Sequence, residues 1–98
     1  MTEEARVKSR KDDDVVYVGK KPTMSYVLAV MTQFSDGMKE VHIKARGKAI
    51  SQAVSVAEAV KNKFMKDLKS DVTIGTDEVK DKENRNLNIS TIDIKLSK

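Results

Sequence analysis

Two strand-like segments, each followed by a glycine and an amphipathic helix, restrict the fold of this 98-residue chain most strongly. Residues 15–18 are four consecutive β-prone residues, which predict a short buried strand. After the turn GKKP, apolar residues recur at the three- and four-residue spacing of a helix face. The segment KEVHIK alternates like a strand, and ARGKAISQAVSVAEAVKNKFM predicts a second helix of about five turns. If the two strands pair in parallel through a right-handed crossover, their carboxyl ends meet at one edge of the sheet.

The apolar positions of the two helices predict which side chains enter the core. Pro22 suits the first turn of the first helix, and Ser35-Asp36-Gly37 ends it. The buried face expected for this helix is Met24, Val27, Leu28, Met31 and Phe34. The face expected for the second helix is Ala49, Ile50, Ala53, Val54, Ala57, Val60 and Phe64. Because lysines surround Phe64, it is either the last core contact, which the pattern favours, or part of an association patch.

The last third of the chain predicts a β-hairpin. Apolar residues alternate along both strands, but the parity changes once in each, near Gly75 and near Ser90-Thr91. A parity change moves the apolar face to the other side of a strand, so we expect a bulge or a sharp twist there. The tip, roughly residues 76–87, then projects from the core. The complete prediction is an α/β two-layer sandwich of order β-α-β-α-β-β, with a mixed four-stranded sheet, two helices and a projecting β-hairpin arm.

The charge of the chain is unevenly distributed. Residues 1–14 carry four basic and five acidic residues, which predicts a charged, disordered arm rather than a secretory signal, and residues 15–98 predict one folded domain. Residues 15–68 carry nine basic and four acidic residues, whereas residues 69–98 carry six of each. A basic surface favours a polyanionic partner, of which nucleic acid is the commonest.

Several kinds of site are disfavoured by the sequence. The chain has no cysteine, which excludes disulfides and cysteine metal sites, and no apolar stretch of the ~20 residues that span a membrane. Asp12-Asp13-Asp14 is more typical of a solvated tail than of a metal site. The single histidine, His42, has no acid at a suggestive spacing and is interpreted as structural or merely exposed rather than catalytic. We therefore expect no enzymatic activity, no metal, no cofactor and no membrane partner.

Basic residues follow both predicted parallel strands. The two loops together carry five cations: Lys20, Lys21, Lys44, Arg46 and Lys48. Because both loops lead into helix N-termini at one edge, these cations would converge beside unpaired N–H groups. Gly19 and Gly47 would leave room for the backbone to approach a phosphate. Lysines are also common in solvated turns, but the meeting of two clusters favours phosphate contact.

The expected ligand is an extended phosphate backbone rather than a single nucleotide. Neither junction has the glycine pattern of a nucleotide-binding loop, and separate cations suit a polyphosphate. The chain has only four aromatic residues, whereas readers of single strands present stacking platforms. Phe34 and Tyr17 fit core positions, and Tyr26 is interpreted as a packing residue in preference to a phosphate contact. These features favour a duplex, bound with little sequence selectivity.

The segments VGKKPTMSYVLAV and IKARGKAIS resemble the Alba family of small archaeal chromatin proteins. The segments NKFM and NISTIDIKL extend the resemblance over residues 15–98. The resemblance implies the β-α-β-α-β-β sandwich of that family. It also implies a homodimer that binds double-stranded DNA with little sequence preference, and in many members RNA.

The resemblance also implies roles for particular residues. By position, Lys20 and Lys21 become the central nucleic-acid contacts, and Lys20 becomes an acetylation site with a deacetylase as a further partner. Arg46 and Lys48 become further contacts, and Phe64 becomes a contact between neighbouring dimers on DNA, against the core interpretation.

The hairpin of the family reaches towards the minor groove, and here its basic residues are Lys80, Lys82 and Arg85. This chain departs from the family in that residues 77–85 contain four acids and only three bases. Its charged tail, residues 1–14, is also longer and more acidic than the usual leader. Both departures reduce the positive charge around the expected binding surface.

The predicted function is non-enzymatic, largely sequence-independent binding of duplex DNA by a homodimer that coats or compacts the chromosome in the cytoplasm. RNA binding, in RNA protection or as a ribonucleoprotein subunit, is the nearest alternative, because both kinds of backbone offer phosphates. A protein-interaction subunit that works through Phe64 and the hairpin arm is an alternative of another class.

Overall fold

The computed structural model describes residues 14–98, so the predicted arm at residues 1–14 lies outside the described residues except for Asp14. The helices and strands are β1 (Val15–Tyr17), α1 (Thr23–Ser35), β2 (Glu40–Arg46), α2 (Ile50–Ala59), β3 (Lys69–Lys80) and β4 (Asn86–Ser97). A 3-10 turn (Gly47–Ala49) precedes α2, and a π-helical turn (Val60–Phe64) extends it. The predicted order, β-α-β-α-β-β, is confirmed.

The four strands form one mixed sheet in the order β1-β2-β4-β3. β1 pairs with β2 in parallel, with Val15 opposite His42 and Tyr17 opposite Lys44. β4 lies antiparallel to both β2 and β3. The carboxyl ends of β1 and β2 therefore meet at one edge of the sheet, as a parallel crossover requires.

Both helices lie on one face of the sheet and cover three of its strands. The residues that face the helices are buried in β1 (Val16), β2 (Val41, Ile43, Ala45) and β4 (Ile92, Ile94, Leu96). By the sheet register, Val72 and Ile74 of β3 lie on this same face opposite Ile94 and Ile92, yet they are 59% and 78% exposed. β3 is thus an edge strand without a cover on its helix-facing side.

The buried helix faces differ in part from the predicted ones. The buried residues are Tyr26, Val27, Val30 and Phe34 in α1, and Ala53, Val56 and Ala57 with the following Val60 in α2. Met24, Leu28 and Val54 were expected in the core but are 52%, 62% and 43% exposed. Each helix carries a wider apolar stripe than the sheet covers, so the flanking positions stay in solvent.

The hairpin is paired without interruption from Lys69 opposite Ser97 to Lys80 opposite Asn86. Of the two expected alternatives, a bulge or a sharp twist, the bulge is wrong, because one bulged residue would have shifted this register. The parity changes for another reason: β2 ends at Arg46 opposite Thr91, and the helix-covered residues of β4 begin at Ile92. Beyond that point the hairpin runs on as a two-stranded arm, and the domain reaches 45 Å in its longest dimension.

Within residues 14–98, neither helix has the length and apolar character that crossing a membrane requires.

Candidate nucleic-acid interface

The loops after β1 and β2 meet at one edge of the sheet and are tied together. Gln52, in the first turn of α2, donates its Nε2 hydrogens to the carbonyl oxygens of Gly19 at 3.0 Å and Lys21 at 2.6 Å. The backbone N–H of Val18 donates to the carbonyl of Lys44 at 2.9 Å. We call this region, with Lys20, Lys21, Arg46 and Lys48, the basic edge. Sequence reasoning missed Gln52, because a polar residue in the first turn of a helix gives no signal of its partner.

Tyr26 holds the backbone of the first loop through its hydroxyl group. Its ring is 8% exposed, and its hydroxyl oxygen accepts the backbone N–H groups of Gly19 at 2.8 Å and Lys21 at 3.0 Å. The interpretation of Tyr26 as a packing residue is supported, since the residue is buried and belongs to the core. Because the N–H of Gly19 already donates to the Tyr26 hydroxyl oxygen, it stabilises the loop and is not available to a phosphate. The first loop presents cationic side chains on a fixed backbone.

The starts of both helices add positive potential to the basic edge. α1 begins after Pro22, and the 3-10 turn before α2 begins after Arg46; neither start has a side-chain cap. No acidic residue lies in the first turn of α1 or α2. The first N–H groups of a helix carry a partial positive charge, which a capping carboxylate would have neutralised. Gly47 has a φ of +60°, a left-handed conformation that favours glycine at this turn.

The five predicted loop cations divide into two groups. Lys20, Lys21 and Lys48 are exposed in the turns, and none of them has an ion-pair partner within residues 14–98. Lys44 and Arg46 were expected in the second loop, but β2 continues to Arg46 and both residues belong to the strand. Their side chains therefore lie on the open face of the sheet, which is the face opposite the helices.

The open face carries polar side-chain contacts that cross the strands. Nδ1 of His42 lies 2.9 Å from Oδ1 of Asp93, and Nζ of Lys44 lies 3.9 Å from Oδ2 of the same carboxylate. His42 was interpreted as structural because no acid lies at a suggestive spacing; its partner is 51 residues away in the sequence. A position on a neighbouring strand is set by register, which the spacing along one strand does not reveal.

Tyr17 also lies on the open face. It is 69% exposed, so the expectation that it enters the core is wrong. It lines an open depression of about 560 Å³ together with Lys44, Arg46, Thr73 and Thr91. β1 contains only three residues, and a continuous apolar run does not indicate which of its faces the helices cover.

The tip of the arm is a closed turn held by Asp81. Oδ1 of Asp81 accepts the backbone N–H groups of Glu83 at 2.8 Å and Arg85 at 2.9 Å, and Oδ2 accepts Nε–H of Arg85 at 2.9 Å. The Arg85 backbone N–H is the main cause that holds the pKa of the Asp81 carboxyl below its usual value. Nη2 of Arg85 also lies 3.0 Å from Oε1 of Glu83. Lys80 and Lys82 are exposed and have no such partner within residues 14–98.

Phe64 lies at the edge of the sheet opposite the basic edge. It ends the π-helical turn, is 50% exposed, and lines a second depression of about 420 Å³ with Met65, Leu68 and Lys98. The preference for a core position is therefore wrong. Its exposure is compatible with an association role.

The fold and the placement of the cations define a small two-layer α/β protein with a basic edge and a projecting hairpin. Residues 14–78 match the family model described as Alba. The chain is 48% identical over 88 residues to the "DNA/RNA-binding protein Alba" of Methanocella arvoryzae, a match that covers 89% of this chain and 92% of the relative. It is 50% identical over 88 residues to the protein of the same name from Methanococcus maripaludis, covering 88% of this chain and 99% of that one.

A solved structure agrees with these matches. Alba from Thermoplasma volcanium superposes with a TM-score of 0.80 at 46% sequence identity, over 86% of this chain and 99% of that chain. The chain belongs to the Alba family, and the resemblance read from its two motifs is confirmed.

Proposed function

We propose that this protein binds duplex DNA without catalysis, through phosphate contacts at the basic edge and with little sequence preference. The observation that carries the proposal is the Gln52 bridge, which holds two cationic junctions together beside two uncapped helix starts. Separate cations at one edge suit successive phosphates of a nucleic-acid backbone. Two relatives that are about half identical are named "DNA/RNA-binding protein Alba", which supports this class of ligand.

The protein acts as a homodimer in this proposal, and the uncovered side of β3 is the surface that supports it. Val72 and Ile74 expose apolar side chains there. Lys61 donates to Oγ of Ser70 on β3 at 3.1 Å, which places that face of the helix beside β3. Val54 lies about two turns earlier on the same face. A second copy would cover this apolar edge, which otherwise invites non-specific pairing.

A dimer of this kind would set two basic edges and two arms along one duplex, so it would coat or compact chromosomal DNA in the cytoplasm. Association of neighbouring dimers through the half-exposed Phe64 extends the same model. Lys20 is exposed in the first loop, so its acetylation would remove one positive charge from the centre of the surface, and a deacetylase would restore it.

The proposal is tested by titrating binding against salt. Each lysine that neutralises a phosphate contributes about 0.9 to the slope of log affinity against log salt. The double variant Lys20→Ala/Lys21→Ala should therefore weaken binding to all duplex sequences equally and reduce the slope by about 1.8 for each bound chain, or about 3.6 for a dimer with both edges on one duplex. Lys39→Ala/Lys66→Ala, at the opposite edge, is the matched control for charge. A wild-type slope near zero, or equal losses in both double variants, would refute the basic edge as the binding surface.

RNA is the second candidate ligand, and the exposure of Tyr17 favours it. An exposed aromatic ring beside Lys44 and Arg46 provides a stacking surface for an unpaired base, which structured RNA offers in its loops. Competition between duplex DNA and a stem-loop RNA at one salt concentration separates the two ligands. Tyr17→Ala should weaken RNA binding alone if bases stack there.

The alternative of a protein-interaction subunit uses Phe64 and the arm as working surfaces. Retention of a protein partner after a high-salt wash, with loss of retention in Phe64→Ala, would favour it over nucleic-acid binding.

A further inference from the structure

Carboxylates of the arm form ion pairs with both arginines that are expected to contact nucleic acid. Nη1 of Arg46 lies 3.8 Å from Oδ2 of Asp77, and Arg85 is held by Asp81 and Glu83. By contrast, five of the six predicted contact lysines have no carboxylate within ion-pair distance in residues 14–98: Lys20, Lys21, Lys48, Lys80 and Lys82. The sixth, Lys44, lies 3.9 Å from Asp93 of β4, which is not a residue of the arm. Both arginines of the expected surface are therefore paired with acids of the arm, whereas none of these lysines is.

The sheet register brings Arg46 and Asp77 together. Arg46 pairs with Thr91 of β4, Thr91 pairs with Gly75 of β3, and Asp77 lies two residues farther along on the same face. Gly75 has no side chain to block this path, and a Cβ there would lie only 3.2 Å from Oγ1 of Thr91. The pair joins the last residue of β2 to the first part of the arm, so the register of the strands brings the two residues together.

We propose that Asp77 competes with nucleic-acid phosphate for Arg46, so that the arm attenuates binding at the basic edge; this rests on the proposed function. A carboxylate and a phosphate offer a guanidinium the same kind of acceptor oxygens. The side chains of Arg46 and Asp77 are 60% and 57% exposed, so a polyanion can reach the guanidinium. When phosphate takes Arg46, the carboxylate of Asp77 is left unpaired beside a polyanion, and both effects oppose binding.

Asp77 is the residue on which this competition can be measured cleanly. The partners of Arg85 also build the turn, since Asp81 accepts two backbone N–H groups there. A change at Asp81 would alter the shape of the tip as well as its charge. Within residues 14–98 the side chain of Asp77 has no hydrogen bond or ion pair other than its pair with Arg46, and it lies on an exposed strand.

The test compares Asp77→Asn with Glu78→Gln in duplex-DNA titrations at low salt. Glu78 is the next residue on the same exposed strand, points to the other face, and has no ion pair within residues 14–98. Both substitutions remove one negative charge, so their difference isolates the competition for Arg46. Exposed pairs contribute up to about 1 kcal/mol, so Asp77→Asn should bind about two- to five-fold more tightly than Glu78→Gln.

A double-mutant cycle identifies the partner. In an Arg46→Gln background, Asp77→Asn should tighten binding no more than Glu78→Gln does. Equal affinities of the two single variants would overturn the competition while leaving the proposed function intact, and so would an Asp77→Asn advantage that persists without Arg46. A wild-type protein that fails to bind duplex DNA at low salt would overturn the proposed function and this proposal with it.

Discussion

Removal of the Gln52 amide should weaken nucleic-acid binding without changing its salt dependence. In Gln52→Ala the first loop loses two hydrogen bonds from Nε2, at 3.0 and 2.6 Å, while every cation of the basic edge remains. Each such bond contributes about 0.5–1.5 kcal/mol net, and the side chain is only half-buried, so we expect a loss of about 1–1.5 kcal/mol in the free energy of unfolding. For a domain of this size that corresponds to a Tm lower by about 4–10 °C.

The effect on binding follows from the freedom that the loop gains. The two Gln52 bonds hold the loop by about 1–1.5 kcal/mol, and in their absence binding must supply this free energy when Lys20 and Lys21 meet phosphate. Affinity should therefore fall about five- to twelve-fold for each bound chain, whereas the number of phosphates neutralised, and with it the salt slope, stays the same. The lysine double variant differs, because it lowers the slope.

The assay is a thermal melt combined with duplex-DNA titrations at four salt concentrations. Ser51→Ala is the control, because it changes helix propensity at the neighbouring exposed position without removing a bond to the loop. If Gln52→Ala melts and binds like Ser51→Ala, the bridge does not organise the basic edge. If Gln52→Ala lowers the salt slope as the lysine variant does, the separation of scaffold from charge is wrong.

Three further outcomes test other parts of the structure. Tyr26→Phe leaves the N–H groups of Gly19 and Lys21 without their acceptor, and urea unfolding should show a loss of about 1–3 kcal/mol. The lowered pKa of Asp81 means that its charged form stabilises the folded tip. This stabilisation is present above about pH 4 and is lost as the pH falls through the folded-state pKa. Protection of the Arg85 amide in NMR hydrogen exchange should therefore decrease only in acid. Ile74→Asp should convert the proposed dimer into a monomer in light scattering with little change in the fold, because the side chain is 78% exposed in the single chain.

The order of the elements and the parallel pairing of β1 and β2 were predictable from the sequence. Periodicity and glycine punctuation are local signals, and the hand of the crossover follows from strand twist. The same signals predicted that five cations meet at one edge, which holds for Lys20, Lys21 and Lys48 in the turns, whereas Lys44 and Arg46 belong to β2 rather than to the loop after it. Their agreement with the structure arises because a short β-α-β unit leaves few other arrangements.

The incorrect predictions concern burial, which depends on the element that packs over a residue. Met24 and Leu28 belong to the apolar stripe of α1, but the sheet covers only the side that contains Tyr26 and Val30. Tyr17 lies in an apolar run, but the covered position of β1 is Val16. Coverage is a property of the assembled layers, so the pattern of one segment does not contain it.

The hydrogen-bond and ion-pair partners of these polar side chains could not be predicted from the sequence for a related reason. Gln52 contacts a loop 31 and 33 residues earlier, and His42 pairs with Asp93 51 residues later. Spacing along the chain reveals pairs within one helix turn or one strand, whereas these pairs depend on strand order and register. Asp77 is the same case, since its place beside Arg46 follows only once β4 lies between β2 and β3.

The near-neutral arm and the basic edge therefore belong to one electrostatic arrangement. Among the described residues, the turn lysines Lys20, Lys21 and Lys48 have no carboxylate partner, whereas Arg46 is paired with an acid of the arm. The turn lysines can meet a phosphate without breaking an ion pair within residues 14–98, but Arg46 must first exchange Asp77. Binding strength should thus be dominated by the lysines, and the acids of the arm should set how much the strand-borne arginine adds.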